Sequence, residues 1–403
     1  MRILHTSDWH LGKNLEGFSR IEEQEKFLED FIDIVEQNSI DLVIIAGDIY
    51  DNSNPPAKAE KMFYNSVKKI SGDGKRVVLV ISGNHDNPER LIAASPLAYD
   101  EGILLMGTPK TIIPKGVFSN FEIIDSGEGF IEIKIKDEKA VIITLPYPSE
   151  KRLNEVLYKE IDDDEKRQKS YSDRIGELFD KLSLKYRDDT INLGVSHIFV
   201  NGGESSDSER PIQLGGSLAV DADRLPKQAQ YIALGHLHKP QKVKGIENAY
   251  YTGSPIPYSK SERGYSKCLK LVDVEVGGKA KIQDIYINNY KPIEVWHCSS
   301  VEQALEKCKE NQHRDMWLYL HIKTDRYING EDIKALKEIK KDIVEIVPEV
   351  QQDENEFMQR DVKEKSMSQL FKEFYFNQRG LEPTKETMDL FLTIAEEEEE
   401  HEA

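Results

Sequence analysis

The strongest constraint on the fold comes from three short strand patterns near the start of the chain, of which the second and third are runs of apolar, mostly β-branched residues. They are RILHTSD (residues 2–8), DLVIIAGD (41–48) and RVVLVISGN (76–84). Between them lie IEEQEKFLEDFIDIVEQNS and AKAEKMFYNSVKKI, whose apolar residues recur at helical spacing. Strands that alternate with helices in this way predict an α/β fold, in which a sheet of parallel strands is covered by helices.

Side chains that can bind a metal ion follow the predicted strands where each strand ends. Two of the motifs, TSDWH and ALGHLH, place polar residues two positions apart, so that both point to one side of an extended segment. A glycine precedes three of these candidate residues, namely Gly47, Gly83 and Gly235. Glycine is preferred where the chain turns tightly or another group approaches the backbone closely, because it has no Cβ. In open α/β sheets, ligands bind beyond the carboxyl ends of the strands. The candidates are Asp8, His10, Asp48, Asn84, His85, His197, His236 and His238.

Each motif also has an ordinary structural explanation when it is taken alone. An isolated Asp-x-His is common, Gly-Asp is usually a turn, and a single histidine usually lies satisfied in the core or on the surface. Five such elements in one order rarely arise by chance. Carboxylate, amide oxygen and imidazole without thiolate suit Mn²⁺, Fe or Zn²⁺. The sequence therefore predicts a metal site at this edge of the sheet.

The order D-x-H, G-D, G-N-H-D, H and G-H-x-H resembles that of the calcineurin-like metallophosphoesterases over roughly residues 1–275. The resemblance implies a sandwich of two β-sheets flanked by helices, with two divalent metal ions. By this resemblance, Asp8, His10 and His238 bind one ion, Asn84, His197 and His236 bind the other, and Asp48 bridges them.

The resemblance also implies that His85 does not coordinate a metal. An imidazole that titrates near neutral pH can donate a proton to a leaving oxygen. Asp51, in GDIYD, is a candidate to orient this imidazole, and it can equally be a capping or turn residue. Because the sequence has no motif for a nucleophilic serine or cysteine, we expect direct attack on phosphorus by a metal-activated water.

The second half of the chain predicts three further segments. Strand and helix patterns alternate over residues 285–350, which predicts a small α/β domain. Residues 351–365 are polar and predict a linker, and residues 366–397 predict a helix-loop-helix.

Three later stretches narrow the resemblance to the bacterial SbcD nucleases. They are HIFVNGGESSDSERPIQLGGS, YIALGHLHKPQ and YYTGSPIPYSKSERGYSKCLKLVDV. The resemblance implies a Mn²⁺-dependent DNA nuclease, acting as a 3′→5′ double-strand exonuclease and as an endonuclease at hairpins and single strands, in DNA repair, recombination and replication. It also implies that residues 285–350 cap the active site. The implied partners are an SbcC-like ATPase, in a heterotetramer with two copies of each subunit, and a second copy of the nuclease domain.

Two alternatives remain open at the level of sequence. One is a stand-alone metallophosphoesterase that acts on small molecules or phosphoproteins instead of DNA. The other is a scaffold that retains the fold and recruits an ATPase without cutting.

The charge of the chain bears on how it meets DNA. A net charge of −19 argues against broad, non-specific nucleic-acid binding by this chain alone, unless the ATPase supplies much of the DNA-binding surface. Basic residues near the motifs are candidates for phosphate contacts, although any one of them is more often solvated or salt-bridged. These residues are Lys13, Arg20, Arg90, Lys239, Lys260 and Arg263.

The predicted C-terminal helices are unusually aromatic for a short segment beyond a polar linker. This composition favours binding of the ATPase over docking on the chain's own body. The candidate contact residues are Leu370, Phe371, Phe374, Tyr375, Leu390 and Phe391.

No apolar run approaches the roughly 20 residues of a membrane helix. The three cysteines have no CxxC spacing, and we therefore expect a reducing, cytoplasmic location, nucleoid-associated when the protein acts on DNA. The histidines outside the motifs are interpreted as structural or surface residues: His5, His297, His313, His321 and His401.

Overall fold

The computed structural model of the chain describes residues 1–149, 164–209, 218–324 and 328–350, together with ten later positions. The chain divides into two units, Met1–Glu349 and Val350–Ala403. The later described positions are Ser368, Gln369, Phe371, Lys372, Tyr375, Pro383, Thr384, Thr387, Met388 and Phe391.

Strands form the framework of the first unit. In chain order they are β1 (Arg2–Thr6), β2 (Asn14–Leu15), β3 (Phe18–Ser19), β4 (Leu42–Ala46), β5 (Val77–Ile81), β6 (Ile103–Met106), β7 (Gly116–Val117), β8 (Phe121–Gly127), β9 (Phe130–Ile135), β10 (Glu138–Leu145), β11 (Ile191–His197), β12 (Phe199–Val200), β13 (Ala219–Val220), β14 (Tyr231–Gly235), β15 (Gln241–Lys242), β16 (Ala249–Tyr251), β17 (Cys268–Asp273), β18 (Lys281–Tyr286), β19 (Ile293–Cys298), β20 (Trp317–Thr324) and β21 (Ile343–Val350).

The helices of this unit flank the sheets. They are α1 (Ile21–Gln37), α2 (Ala57–Ser71), α3 (Pro88–Ile92), α4 (Ser95–Asp100), α5 (Asp164–Ser183), α6 (Val301–Glu310) and α7 (Gly330–Ile339).

Two large sheets form the main body of the unit. The first has six strands in the order β18-β17-β1-β4-β5-β6, and β1, β4, β5 and β6 are parallel, as the sequence predicts. The second has eight strands in the order β15-β16-β14-β11-β10-β9-β8-β7, with β10, β11, β14 and β16 parallel. The carboxyl ends of the parallel strands of both sheets are the natural place for a site.

The core lies between the two sheets and on their outer faces. Ile44 and Leu79 of the first sheet pack in one cluster with Ile142 and Leu193 of the second. Full burial of one such side chain contributes about 1.5–3 kcal/mol. Helices α1 and α2 pack their apolar faces on the outside of the first sheet, and α5 packs on the outside of the second. The predicted sandwich of two sheets flanked by helices is therefore confirmed.

The first sheet extends further along the chain than the sequence predicts. Strand β18 pairs with β17 in antiparallel register from Cys268↔Tyr286 to Asp273↔Lys281. The domain therefore continues past residue 275, the predicted boundary. The sequence KIQDIY is mostly exposed, as is typical of an edge strand, and for this reason its apolar signal is weak.

A smaller sheet follows, in the order β19-β20-β21. Helices α6 and α7 supply its separate core, with Leu318, Leu320 and Leu336 buried there. On its other face, Trp317 and Tyr319 contact Leu15 near the β2–β3 hairpin. The small α/β fold predicted for residues 285–350 is thus anchored to the larger body.

In the second unit, the described positions agree with a pair of helices. Phe371, Tyr375 and Phe391 are helical, and the rings of Phe371 and Phe391 stack with centroids 3.9 Å apart. The Thr387 N–H donates to Thr384 Oγ1 at 3.2 Å, an N-cap contact. The predicted linker 351–365 and the candidate residues Leu370, Phe374 and Leu390 lie outside the described residues.

A membrane crossing requires a long, apolar helix, and no helix among the described residues has the necessary length and composition.

Candidate metal centre

The candidate metal ligands lie together at the carboxyl ends of strands from both large sheets. All of them are buried except Asn84, which is half-buried. They follow or end β1 (Asp8, His10), β4 (Asp48), β5 (Asn84, His85), β11 (His197) and β14 (His236, His238).

Four of these residues hold an unusual backbone conformation. The φ angles are 55° at Asp8, 45° at His10, 52° at Asp48 and 108° at His236. Such a conformation costs roughly 1–3 kcal/mol at a non-glycine residue and persists only where the surroundings enforce it. In this centre the Asp8 N–H donates to Gly47 O and the His10 N–H donates to Asp48 O, both at 3.0 Å. The fold thus maintains local strain where the sequence predicts ligands.

Glycines allow the loops after β4 and β5 to approach each other and His197 closely. A Cβ on Gly83 would lie 2.1 Å from Asp48 Oδ1, and one on Gly47 would lie 2.3 Å from His197 Nδ1. Gly47 also has a φ of 91°, which disfavours any side chain.

The first group of candidate ligands is Asp8, His10 and His238. The Nε2 atoms of His10 and His238 lie 2.9 Å apart. The potential ligand atoms of all three residues lie within 4.8 Å of one another. The Asp8 carboxylate is held by the His236 N–H at 2.9 Å and by the Ser7 hydroxyl at 2.5 Å.

The second group is Asn84, His197 and His236. Asn84 Oδ1 lies 2.9 Å from His197 Nε2 and 3.0 Å from His236 Nδ1. Between the groups lies Asp48, whose Oδ2 is 3.3 Å from His197 Nε2 and 3.7 Å from His10 Nε2. From this position the Asp48 carboxylate could contact a cation held by either group.

Hydrogen bonds to the far side of two rings orient the imidazoles so that Nε2 points into the site. His197 Nδ1 donates to Ala46 O at 2.8 Å, which leaves Nε2 as the nitrogen that faces the site. His238 Nδ1 lies 2.5 Å from Ser208 Oγ, whose hydroxyl donates to Glu262. Nδ1 of His238 is therefore the protonated nitrogen, and its Nε2 also faces the site with a lone pair. Outer hydrogen bonds of this kind are typical of metal-binding histidines.

The residues present fit two divalent cations. Two carboxylates, an amide oxygen and four imidazoles converge, and several of these acceptor atoms meet within hydrogen-bond distance of each other. Buried carboxylates without a compensating charge are costly. Oxygen and imidazole donors without thiolate suit Mn²⁺, Fe or Zn²⁺.

Burial and charge shift the pKa values of these groups strongly. Burial raises the pKa of Asp8 to about 6. Burial also opposes the ionisation of Asp48, yet the neighbouring His197 and His85 hold its pKa well below the usual value. For His197, burial would lower the pKa, but the attraction of Asp48 outweighs it and raises the pKa to about 9. A cation would displace the proton that His197 holds, so metal binding releases protons.

His85 lies beside these groups and is held by main-chain contacts. Its N–H donates to Asp48 Oδ1 at 2.8 Å, and its Nδ1 donates to the main-chain oxygen of Asp51 at 2.6 Å. The Asp51 carboxylate instead accepts from Lys13 Nζ at 3.0 Å. The sequence predicts that Asp51 orients His85 through its carboxylate, whereas the carbonyl makes the contact. Nε2 of His85 lies 4.0 Å from Asp48 Oδ2.

Three charged residues behind His238 were missed by sequence reasoning. Glu209 accepts from the His238 N–H at 2.7 Å. Buried Glu262 accepts from Lys267, and Lys267 Nζ also donates to the His238 carbonyl at 2.8 Å. No regular spacing links these residues to the metal motifs, and the available signal was their place in two of the three stretches that carry the narrower resemblance.

Asp86 has a structural role that its motif also left unassigned. Its carboxylate accepts from Gly83 N at 2.8 Å and from Tyr50 N at 3.0 Å, which ties the loops after β4 and β5 together. Its place in G-N-H-D was the available signal.

The prediction that Arg20 contacts DNA is wrong. Its side chain is fully buried, donates twice to Glu23 at 2.6 Å and donates to Pro257 O at 2.6 Å. Its guanidinium also lies 5.8 Å from the ring centroid of Trp317 in the smaller sheet. Arg20 thus joins the two parts of the first unit.

Four of the other five basic candidates form ion pairs. Lys13 pairs with Asp51 at 3.0 Å, and Arg90 pairs with Glu60 at 2.8 Å. Lys239 pairs with Glu204, and Lys260 pairs with Glu345 at 3.6 Å. Arg263 Nη1 donates to the Lys260 carbonyl at 3.2 Å.

Comparison with known families gives two matches. Residues 1–240 match the family described as calcineurin-like phosphoesterase. Residues 289–379 match the family described as type 5 capsule protein repressor C-terminal domain.

Curated relatives align over most or all of the chain. The SbcD subunit of nuclease SbcCD from Bacillus subtilis (strain 168) is 40% identical over 406 residues, which covers 100% of both chains. The protein of the same name from Escherichia coli (strain K12) is 31% identical over 360 residues, covering 84% of this chain and 82% of the relative. That from Staphylococcus epidermidis is 27% identical over 380 residues, covering 94% and 93%.

Proposed function

Because this chain belongs to the calcineurin-like phosphoesterase family and, within it, to the SbcD nuclease subunits, we propose that it hydrolyses DNA phosphodiester bonds in a complex with an SbcC-like ATPase. The observation that best supports this chemistry is the position of Asp48 between two groups of metal-binding side chains, with His85 beside them. We propose the substrates of the sequence prediction, with 3′→5′ exonuclease action on duplex ends and endonuclease action at hairpins and single strands.

Each residue of the centre has a proposed role. Asp8, His10 and His238 would hold one divalent ion, Asn84, His197 and His236 would hold the other, and Asp48 would serve both. We propose Mn²⁺ for both positions, which is one of the ions that this donor set suits and the one that the resemblance to SbcD nucleases implies. When bound, such a pair supplies Lewis acidity and an activated water for in-line displacement at phosphorus.

His85 is the proposed proton donor. As the P–O bond to the leaving strand breaks, Nε2 donates a proton to the leaving oxygen. The carbonyl of Asp51 fixes the ring through Nδ1, and the Asp48 carboxylate fixes its main chain. Both contacts hold His85 beside the two groups of metal-binding side chains, which supports this role.

The proposed assembly has two copies of each subunit. Leu97 of α4 is 80% exposed, whereas the apolar residues of α2 are buried on the chain's own sheet, so α4 is the better candidate for a homodimer contact. In the second unit Phe371 and Phe391 stack on each other. We propose that the helix pair so formed binds the ATPase.

Cleavage of end-labelled duplex and hairpin DNA tests the proposal. Wild type, His85→Gln and the control His313→Gln, which alters an exposed histidine, are compared with Mn²⁺, Mg²⁺ or EDTA, with and without the ATPase. We expect Mn²⁺-dependent cutting that His85→Gln lowers by about 10²–10⁴-fold, with unchanged metal content and a normal control.

Two results would contradict this assignment. Hydrolysis of bis-p-nitrophenyl phosphate without any cutting of DNA would leave a phosphoesterase with another substrate. Full DNA cutting by His85→Gln would remove His85 from the mechanism.

A further inference from the structure

Two histidines and a glutamate come together on the smaller sheet, away from the centre described above. His297 on β19 lies directly opposite His321 on β20 in the parallel register. Glu349 lies on β21, the other neighbour of β20. Each of the three strands therefore contributes one side chain to a single cluster.

The distances in this cluster match those around a metal ion. Glu349 Oε1 lies 3.1 Å from Nδ1 of His297 and 3.1 Å from Nδ1 of His321. The potential ligand atoms of the three residues all lie within 4.8 Å of one another. Ligands at about 2.0–2.2 Å from a tetrahedral ion are about 3.3–3.6 Å apart. An ion therefore needs only a small outward movement of these side chains.

The chemistry of the cluster favours Zn²⁺. Two imidazoles and one carboxylate are a common zinc donor set, with a further position open to water. The His297 side chain is 63% exposed and that of His321 is 21% exposed, which leaves an entry path from solvent.

The position of the cluster indicates what a bound ion would do. Side chains two residues apart on a strand share a face, so His321 lies on the face of Tyr319, which packs beside the β2–β3 hairpin. That contact and the contacts of Trp317 fix the start of β20. The three side chains lie toward the other end of β20, and one of them, Glu349, is the last residue of the first unit. A bound ion would therefore cross-link the sheet at this end.

We propose that His297, His321 and Glu349 form a Zn²⁺ site that clips the three strands of the smaller sheet together. The site is separate from the two-metal centre and does not depend on the proposed nuclease chemistry. The histidines show no spacing motif because they come from different strands, and for this reason the sequence alone indicates only structural or surface residues.

Metal counting on the full chain tests the proposal. EDTA-stripped wild type, the double variant H297A/H321A and the control His313→Ala, an exposed histidine of the same domain, are titrated with Zn²⁺ and analysed for bound metal after desalting. We expect wild type and the control to retain one more equivalent of Zn²⁺ than the double variant. Glu349→Gln, which keeps the shape of the side chain, should weaken this equivalent by at least about tenfold.

Hydrogen exchange of the β20 and β21 amides provides a second readout. Zn²⁺ should slow their exchange in wild type and in the control, and not in the double variant. Equal Zn²⁺ content and equal protection in the double variant and wild type would overturn the site. Equal loss in His313→Ala would show non-specific surface binding instead and would overturn it as well.

Discussion

At the scale of single residues, the arrangement behind His238 shows how the fold holds a proposed metal ligand in place. Ser208 links the ring to Glu262, and Lys267 links Glu262 to the main chain of His238. The Glu262 side chain has no exposed surface, and that of Lys267 is 6% exposed. A buried pair of this kind tolerates the loss of one partner poorly, because the remaining charge is left without compensation.

We predict that Glu262→Gln destabilises the protein and weakens the metal centre. Breaking a buried ion pair costs about 3–5 kcal/mol, and loss of an outer partner lowers metal affinity by about 10–100-fold. Urea unfolding of the metal-free protein and a Mn²⁺ titration measure the two effects separately.

The matched control is Glu247→Gln. Glu247 pairs with Lys279 at 3.5 Å, but both side chains are highly exposed, and exposed pairs contribute about 0–1 kcal/mol. Equal effects of the two substitutions would show that the network behind His238 has no special role.

At the scale of elements, the sequence was informative where burial is complete. β4 and β5 are covered on both faces, so their residues form unbroken apolar runs, and the polar residues that follow them mark the ends of the strands. The same pattern located the candidate ligands. The ligands could be located because the carboxyl ends of parallel strands meet at one edge of the sheet, independently of the conformation of the loops.

Other features depend on tertiary contacts that no local pattern records. β18 is an exposed edge strand, and its alternation is too polar to distinguish it from a linker. The burial of Arg20 depends on Pro257 and Trp317, which are far away in the sequence. Likewise, only the conformation of its loop decides whether the carbonyl or the carboxylate of Asp51 meets His85.

The contact between α1 and the smaller sheet leads to a prediction about Arg20. Trp317 Nε1 donates to Glu23 Oε2 at 3.0 Å, and Glu23 is the partner of Arg20. Arg20→Ala removes the counter-charge of the buried Glu23 carboxylate. We therefore expect the substitution to lower the free energy of unfolding by about 3–5 kcal/mol.

DNA binding distinguishes this anchor from a phosphate contact. Removing a phosphate contact reduces the slope of log affinity against log salt by about 1. At a temperature where both proteins are folded, we expect Arg20→Ala to keep the wild-type slope. A reduced slope would restore the sequence prediction for Arg20 and contradict the burial of its side chain.

At the scale of the whole molecule, the candidate metal centre joins the two large sheets. Asp8, Asp48 and Asn84 follow strands of the first sheet, whereas His197 ends a strand of the second and His236 follows another. Ions bound by both sets would cross-link the sandwich at one edge, where the unfolded chain offers no preformed site. Metal binding is therefore coupled to the stability of the entire body and not to one loop.

We predict that Mn²⁺ stabilises wild type in a single unfolding transition that includes both sheets. A ligand at 100 times its Kd stabilises a protein by about 2.7 kcal/mol. Asp48→Asn removes the carboxylate that lies between the two groups, so Mn²⁺ should shift its unfolding much less, whereas the control Glu247→Gln should respond as wild type does. Calorimetry with and without Mn²⁺, at one ionic strength, gives these shifts. If Asp48→Asn gains as much stability from Mn²⁺ as wild type, the stabilising ions bind elsewhere on this acidic chain, and Asp48 does not link the two sheets through metal.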